Sequence, residues 1–331
     1  MTLRRPVIGY LHHRCLITEE LRDQLEAIGD LRLVEPTVDG LADVDILCTF
    51  AGFFLERKLL EQLPRLIATV DLGTAIHCDV AAAADLGIVV YHAPGTNAQA
   101  VGEHTMALLL ALTNGIIRSD RRMRTGDFML ADRRAWGVEL QGRVLGLVGF
   151  GNVARRVAHI AHNGFNMQVR VWCRHPEDVE AAGYEFLELD ELMRVADVLS
   201  VHLALNPETR GLIDRSLLSL LKPSAFVVVT ARVEVLDLDA LTALVVDEHI
   251  AGAALDTWPD HSPDYSSPLL QHDNVVLTEA NAGLSDVAAE NMAAAALDGV
   301  RSALGHTLPN LATIANPLAW PPRALVGSGS S

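Results

Sequence analysis

The stretch Arg143 to His175, "RVLGLVGFGNVARRVAHIAHNGFNMQVRVWCRH", constrains this chain more than any other. It reads as an apolar strand, a glycine turn, a helix and a second apolar strand. Strands joined through a helix run parallel in one sheet. The turn "GFGNVA", Gly149 to Ala154, sits where strand gives way to helix. Gly149 permits the tight turn, and Gly151 lets the backbone approach a pyrophosphate at the helix N-terminus. Ala154 takes the third fingerprint position. With Asn152 and Val153 these residues form a candidate dinucleotide site, the plain alternative being an ordinary tight turn.

The same alternation fills the rest of the chain. "PVIGYL", "DILCTF", "LIATVDLG" and "IVVYHAP" are strand-like, with helical patterns such as "TEELRDQLEAIG" and "VAAAADLG" between them. That predicts a small doubly wound domain over the first hundred residues. Then "NAQAVGEHTMALLLALTNGIIRSDRRMRTG" reads as a long apolar helix followed by a basic one. A helix so apolar all round belongs in an interior. Past the glycine turn, "VLSVHLAL", "AFVVVTAR", "IAGAALD" and "NVVLTEA" add four strands, and "AAENMAAAALDGVRSALG" is a closing helix. The proline-rich "LPNLATIANPLAWPP" is expected to lie back on the first domain. The predicted fold is therefore α/β: a Rossmann-type nucleotide domain, 100–283, inserted in a split substrate domain of flavodoxin-like type, 1–99 and 284–326.

Composition narrows the function. The net charge of −16 disfavours non-specific nucleic-acid binding. Cys15, Cys48, Cys78 and Cys173 are scattered without a CxxC pair, as in reduced cytoplasmic proteins. The longest apolar run, "MALLLAL", is far short of the ~20 residues of a membrane span, and the N-terminus has no apolar stretch of signal-peptide length. No HExxH or paired Cys/His spacing suggests a metal, and no GxSxG elbow suggests a hydrolase.

Cofactor choice is read at the end of the second strand. The position expected to be acidic for NAD is Cys173, followed by Arg174. A missing carboxylate beside an arginine favours the 2′-phosphate of NADP, with NAD as the alternative, and Glu177 and Asp178 pull the other way.

These blocks, together with "VAAAADLGIVVYHAPGTNAQAVGEHTMALLLAL", "LDELMRVADVLSVHLALNPETRGLID", "LLKPSAFVVVTARVEVLDLDAL" and "IAGAALDTWP", resemble the D-isomer-specific 2-hydroxyacid dehydrogenases over roughly Pro64 to Pro321. The resemblance implies an interdomain active site, a small anionic substrate and a homodimer built around the helix at 100–118. It implies that Arg232, in "TAR" (Thr230, Ala231, Arg232), binds the substrate carboxylate. The residues agree: an arginine just past a buried strand lies at the ligand edge of a parallel sheet, and its fork suits an oxyanion. A salt bridge with Glu234 or Asp237 is the alternative. Asp256 matches the family's aspartate near the nicotinamide, or else forms a strand-end turn. Gly73 and Thr74 match the loop whose N–H groups meet the substrate carboxylate. His77 stands in that loop, either in contact with the substrate or as a satisfied buried histidine.

The chain departs from the family where acid–base chemistry is needed. The catalytic glutamate's position is His261, and the catalytic histidine's position is Ala280, flanked by Glu279 and followed by Gly283. Alanine exchanges no proton. Three readings follow: His261 and Glu279 form a rearranged dyad; the substrate is a more easily ionised acid or a hydroxy-phosphonate; or the chain is a dinucleotide-binding sensor or scaffold without catalysis. In each, the loop through Ala280 and Gly283 is expected to touch the cofactor.

Overall fold

The structure, a computed structural model, describes residues 4–11, 18–50, 53–127, 136–259, 262–323 and 325. The chain divides into two compact units, Met1–Asn97 with Ser285–Ser331, and Ala98–Leu284.

The first unit is built on a five-stranded parallel sheet. Its strands are β1 (Val7–Leu11), β2 (Asp30–Val34), β3 (Ile46–Thr49), β4 (Ala68–Asp71) and β5 (Val89–Tyr91), in the order β2-β1-β3-β4-β5. Strands β3, β4 and β5 are buried at every position, which is why they read as unbroken apolar runs. Strand β2, "DLRLV", escapes a reading of the sequence. It is an edge strand with Leu33 exposed, and Arg32 pairs with Asp30 and Asp43, so its pattern is polar. Thr18 caps the helix Glu19–Ile28, accepting the N–H of Leu21. The closing helix Asp286–Ala303 returns to this sheet. Its Gly299 lies so close that a Cβ would stand 3.1 Å from Val70. The proline-rich end also lies on this unit: Asn316 accepts from the N–H of Val90 at 2.9 Å and donates to the carbonyl of Ile88 at 2.8 Å.

The second unit is built on a seven-stranded parallel sheet. Its strands are β6 (Val144–Val148), β7 (Gln168–Trp172), β8 (Glu185–Phe186), β9 (Val198–Val201), β10 (Phe226–Val229), β11 (Gly252–Leu255) and β12 (Val275–Leu277). The order is β12-β11-β10-β9-β6-β7-β8, the doubly wound arrangement with its switch point between β6 and β9. Strand β8 is one more than the sequence suggests, a two-residue edge element too short to carry a period. The apolar helix Ala98–Thr113 is largely buried, and the basic helix Ile116–Thr125 follows at a bend of 58°. Among the described residues no single helix is long and apolar enough to cross a membrane.

Candidate active site

Each unit carries a cluster at the carboxyl edge of its sheet, where ligands of doubly wound folds bind. In the second unit the glycine turn stands at the switch point. Gly149 has φ +98°, and a Cβ there would lie 2.8 Å from the carbonyl oxygen of His202, just past β9. Gly151 caps the fourteen-residue helix Asn152–Phe165 and supplies no side-chain cap. A Cβ on Gly151 would meet nothing within 4 Å. The first-turn N–H groups of Asn152, Val153 and Ala154 lie at the positive end of a helix dipole. Ala154 is fully buried, as the close helix–sheet packing of the third fingerprint position demands.

At the end of β7, Cys173 is a half-buried thiol that donates to the carbonyl of His175 at 3.2 Å. Burial, helped by the charges of Asp178 and Glu177, pushes its pKa up, so the position carries no negative charge. Arg174 is exposed, 3.6 Å from Glu208. Arg155 lies 4.3 Å over the Phe150 ring and pairs with Asp178 at 3.2 Å.

Just past β10, Thr230 shares a hydrogen bond of 3.0 Å with Thr105, and the hydroxyl of Thr257 donates to the carbonyl of Ala231. Arg232 reaches Glu234 through Nη2 at 2.5 Å and Nε at 3.2 Å. Of the two carboxylates considered for it, Asp237 is occupied in capping the helix Leu238–Val246. The Glu234 side chain is 13% exposed against 39% for Arg232, so this pair anchors one end of a guanidinium that still reaches solvent. Burial acts to raise the Glu234 carboxyl. The hydrogen bond from Arg232, its own N–H and the charges of Arg232 and Arg210 outweigh that and hold it below its ordinary value. Val233 is fully buried in the core under β9, β10 and β11.

Asp256, at the end of β11, is buried. Its Oδ1 accepts from the Thr278 hydroxyl at 2.5 Å and the Asn281 N–H at 3.1 Å, and its Oδ2 from the Ala282 N–H at 3.1 Å. The Thr278 hydroxyl has one proton and gives it to Asp256, so the Nε2 of His104, 3.1 Å away, donates to Thr278. Trp258 Nε1 donates to the Thr278 carbonyl at 3.1 Å. Ala280 is exposed in a left-handed conformation, φ 58°, which turns the two N–H groups that follow it toward Asp256. Glu279 is exposed, with no hydrogen-bond or ion-pair partner among the described residues. Gly283 is half-buried at the loop's end. His261 lies outside the described residues.

In the first unit the loop after β4 carries Gly73, Thr74 and His77. The N–H groups of Gly73 and Thr74 have no acceptor among the described residues, while the one proton of the Thr74 hydroxyl lies between the carbonyl of Ala93 at 3.3 Å and Oδ1 of Asn97 at 3.2 Å. His77 is neither free nor deeply buried: its Nδ1 lies 2.7 Å from the buried Asp71.

Three comparisons bear on this geometry. The family model "D-isomer specific 2-hydroxyacid dehydrogenase, NAD binding domain" matches residues 106–281. A glyoxylate reductase of Aeropyrum pernix is 34% identical over 294 residues, covering 84% of this chain and 85% of that protein. The chain belongs to the D-isomer-specific 2-hydroxyacid dehydrogenase family. A glyoxylate/hydroxypyruvate reductase B of Pectobacterium carotovorum is 29% identical, over 87% of this dehydrogenase and 94% of its own length. An acyclic imino acid reductase solved with NADPH and D-Arg superposes with a TM-score of 0.82 at 27% identity, covering 90% and 97% of the two chains.

This dehydrogenase is thus an oxidoreductase with a nicotinamide cofactor, and its own residues fit that group. Gly151, the uncapped helix start and the neutral end of β7 are the residues that would hold its pyrophosphate and adenosine ribose. When bound, the nicotinamide supplies or accepts a hydride. Reading the sequence missed Asp71, Thr278 and His104. A strand-end aspartate was visible in "ATVDLG", but nothing in the sequence says which later side chain turns back to it. Among the described residues no group of three or more His, Cys, Asp or Glu is placed to hold a metal ion.

Proposed function

We propose that the chain interconverts small 2-oxo acids and D-2-hydroxy acids, using NADPH in preference to NADH. The observation that carries this reading is Arg232. It stands just past β10 at the ligand edge of the sheet, held by Glu234 and partly exposed, and its planar fork suits a carboxylate. The names of the relatives, glyoxylate and hydroxypyruvate reductases, point to the same substrate class. The preference for NADPH rests on the uncharged Cys173 beside Arg174. The acid–base group is not at Ala280. We further propose a homodimer that covers the exposed Ile116 and Met123 of the basic helix, and a cytoplasmic location.

The test is a screen of glyoxylate, hydroxypyruvate, pyruvate and their phosphonate analogues with NADPH and NADH, followed by cofactor absorbance. Arg232→Ala should raise KM for the acid by about a hundredfold while leaving dinucleotide affinity unchanged. Tight dinucleotide binding with no turnover across the panel supports the sensor reading instead. Sedimentation tests the dimer.

One observation favours a second substrate class. A protonated imine needs no proton from the enzyme when it takes up hydride, and Ala280 offers none. The similar acyclic imino acid reductase makes this concrete. Turnover of a 2-oxo acid only when an amine is added selects this reading.

A further inference from the structure

We infer that Arg155, stacked on Phe150 of the glycine turn and paired with Asp178 beyond β7, is the residue that takes the 2′-phosphate of NADPH, exchanging the Asp178 carboxylate for it. The inference rests on the NADPH preference proposed above. Every residue it uses lies within the second unit.

In a doubly wound nucleotide site the 2′ position of the ribose is read at the end of the second strand, beside the glycine turn. Here that strand is β7, and Cys173 at its end gives its hydrogen to the carbonyl of His175. A phosphate at this position needs a cation close by. Two arginines are candidates. Arg174 is the next residue along the chain, but its side chain is 70% exposed and its one carboxylate among the described residues, Glu208, is 3.6 Å away. An arginine so loosely held loses much side-chain entropy when a ligand fixes it.

Arg155 is better prepared. It follows Ala154 in the opening turn of the helix Asn152–Phe165, and its side chain is 41% exposed. Its guanidinium carbon lies 4.3 Å from the centre of the buried Phe150 ring, so the charge rests on a fixed surface. Its Nη2 is 3.2 Å from Oδ2 of Asp178, on the helix Pro176–Ala181. These two contacts stretch the side chain from the glycine turn to the segment that follows β7. The electrostatics of Cys173 agree with that placement. Burial pushes its thiol up, the charge of Asp178 adds to the rise and the charge of Arg155 works against it. Both members of the pair therefore act on the strand end where the 2′ position is read.

The pair is suited to exchange. Asp178 is exposed and carries a single negative charge. A phosphate monoester carries about 1.5–2 negative charges near neutral pH and has three acceptor oxygens. The planar fork of an arginine meets two such oxygens at once. Arg155 thus gains by giving up the carboxylate, and Asp178 turns to water. With NADH there is no phosphate to compete, and the ion pair persists. Asp178, and Glu177 at 3.3 Å from His175, repel the phosphate, so the preference depends on what Arg155 supplies.

The experiment measures binding to the full chain without turnover. Calorimetry is run with NADPH, NADH, adenosine 2′,5′-bisphosphate and adenosine 5′-monophosphate, the last two differing only in the 2′-phosphate. Arg155→Ala should weaken NADPH and the bisphosphate by about 10–100-fold and leave NADH and the monophosphate within about threefold. Arg155→Lys should keep part of the affinity, because the charge remains and the fork does not. Asp178→Asn should tighten NADPH by about two- to fivefold with NADH unchanged. Arg174→Ala should cost NADPH less than Arg155→Ala does. An Arg155→Ala chain that keeps the native ratio of NADPH to NADH affinity overturns the inference and leaves the NADPH preference standing, as does a larger loss in Arg174→Ala. Weaker NADH binding by Asp178→Asn also overturns it, since Asp178 would then be the acceptor of the ribose hydroxyl. A wild-type chain that binds NADH as tightly as NADPH removes the preference and this inference with it. If Arg155→Ala does not fold, Asp178→Asn decides: NADPH affinity that fails to rise overturns the proposal.

Discussion

The carboxylate of Asp256 accepts the backbone N–H of Ala282 at 3.1 Å and so ties the end of β11 to the loop after β12. Thr278 and Asn281 bind the same side chain, so one buried carboxylate organises the whole turn around Ala280. Asp256→Ala leaves two N–H donors and a hydroxyl without their acceptor. The expected cost is about 3 kcal/mol, from roughly 1 kcal/mol per lost bond. Hydrogen exchange reads it directly. The amides of Asn281 and Ala282 should lose protection, while those of β6 and β9 keep theirs. Unchanged protection at Ala282 would show that the loop is held by other means.

Gly149 is a sharper case, because both its torsion and its neighbour demand glycine. Gly149→Ala places a Cβ against the backbone of His202, 2.8 Å from oxygen and 3.0 Å from carbon, at a φ of +98° that alanine rarely adopts. A backbone wall cannot swing aside as a side chain can. The strain is on the order of 1–3 kcal/mol, and the turn must shift to relieve it. Dinucleotide affinity, measured by quenching of intrinsic fluorescence, should fall by at least tenfold. Gly151→Ala offers the contrast. Its Cβ meets no protein atom, so the free protein should keep its thermal midpoint, and any loss should appear only on binding dinucleotide.

Those two glycines also mark how much of the molecule the sequence declares. A strand, a φ-demanding glycine and a helix leave a local trace, so the turn at 149–154 and its sheet were legible, as was the arginine past β10. Edge strands leave less: β2 carries charges and an exposed Leu33, and β8 is two residues long. Least legible were contacts made by folding back. Asp71 meets His77 across six positions and a turn, and His104 meets Thr278 across 174. Ala280 was readable as a loss of chemistry. Its left-handed backbone was not, since alanine gives no sign of that conformation. The rearranged dyad of His261 and Glu279 includes a residue outside those described, and Glu279 itself is exposed.

The ion pair of Arg232 and Glu234 predicts a pH dependence. Glu234 is held below its ordinary value of 4.5 in the folded chain. Its contribution to stability is therefore fully present above that value and is lost as pH falls through the lower, folded one. Below about pH 4.5 the wild type should lose thermal stability more steeply than Glu234→Gln, and at neutral pH the variant should be the weaker of the two. Parallel acid limbs for the two proteins would show that the pair contributes nothing. The same variant removes the Glu234 contact that helps to orient Arg232, so KM for the acid substrate should rise, with dinucleotide affinity unaltered.

Ala280 supplies the last test, because its torsion and its missing side chain separate cleanly. At φ 58° an alanine sits where glycine is at ease and most residues are not. The left-handed region costs a non-glycine residue roughly 1–2 kcal/mol. Glycine gives back about 0.4–1 kcal/mol through a freer unfolded chain. Ala280→Gly should therefore stabilise the second unit by on the order of 0.5–1 kcal/mol, read as a higher denaturation midpoint. Activity should be untouched, since neither residue carries a proton to exchange. A fall in kcat for Ala280→Gly would mean that the rigidity of this turn serves the reaction, and that Asp256 holds it for more than stability.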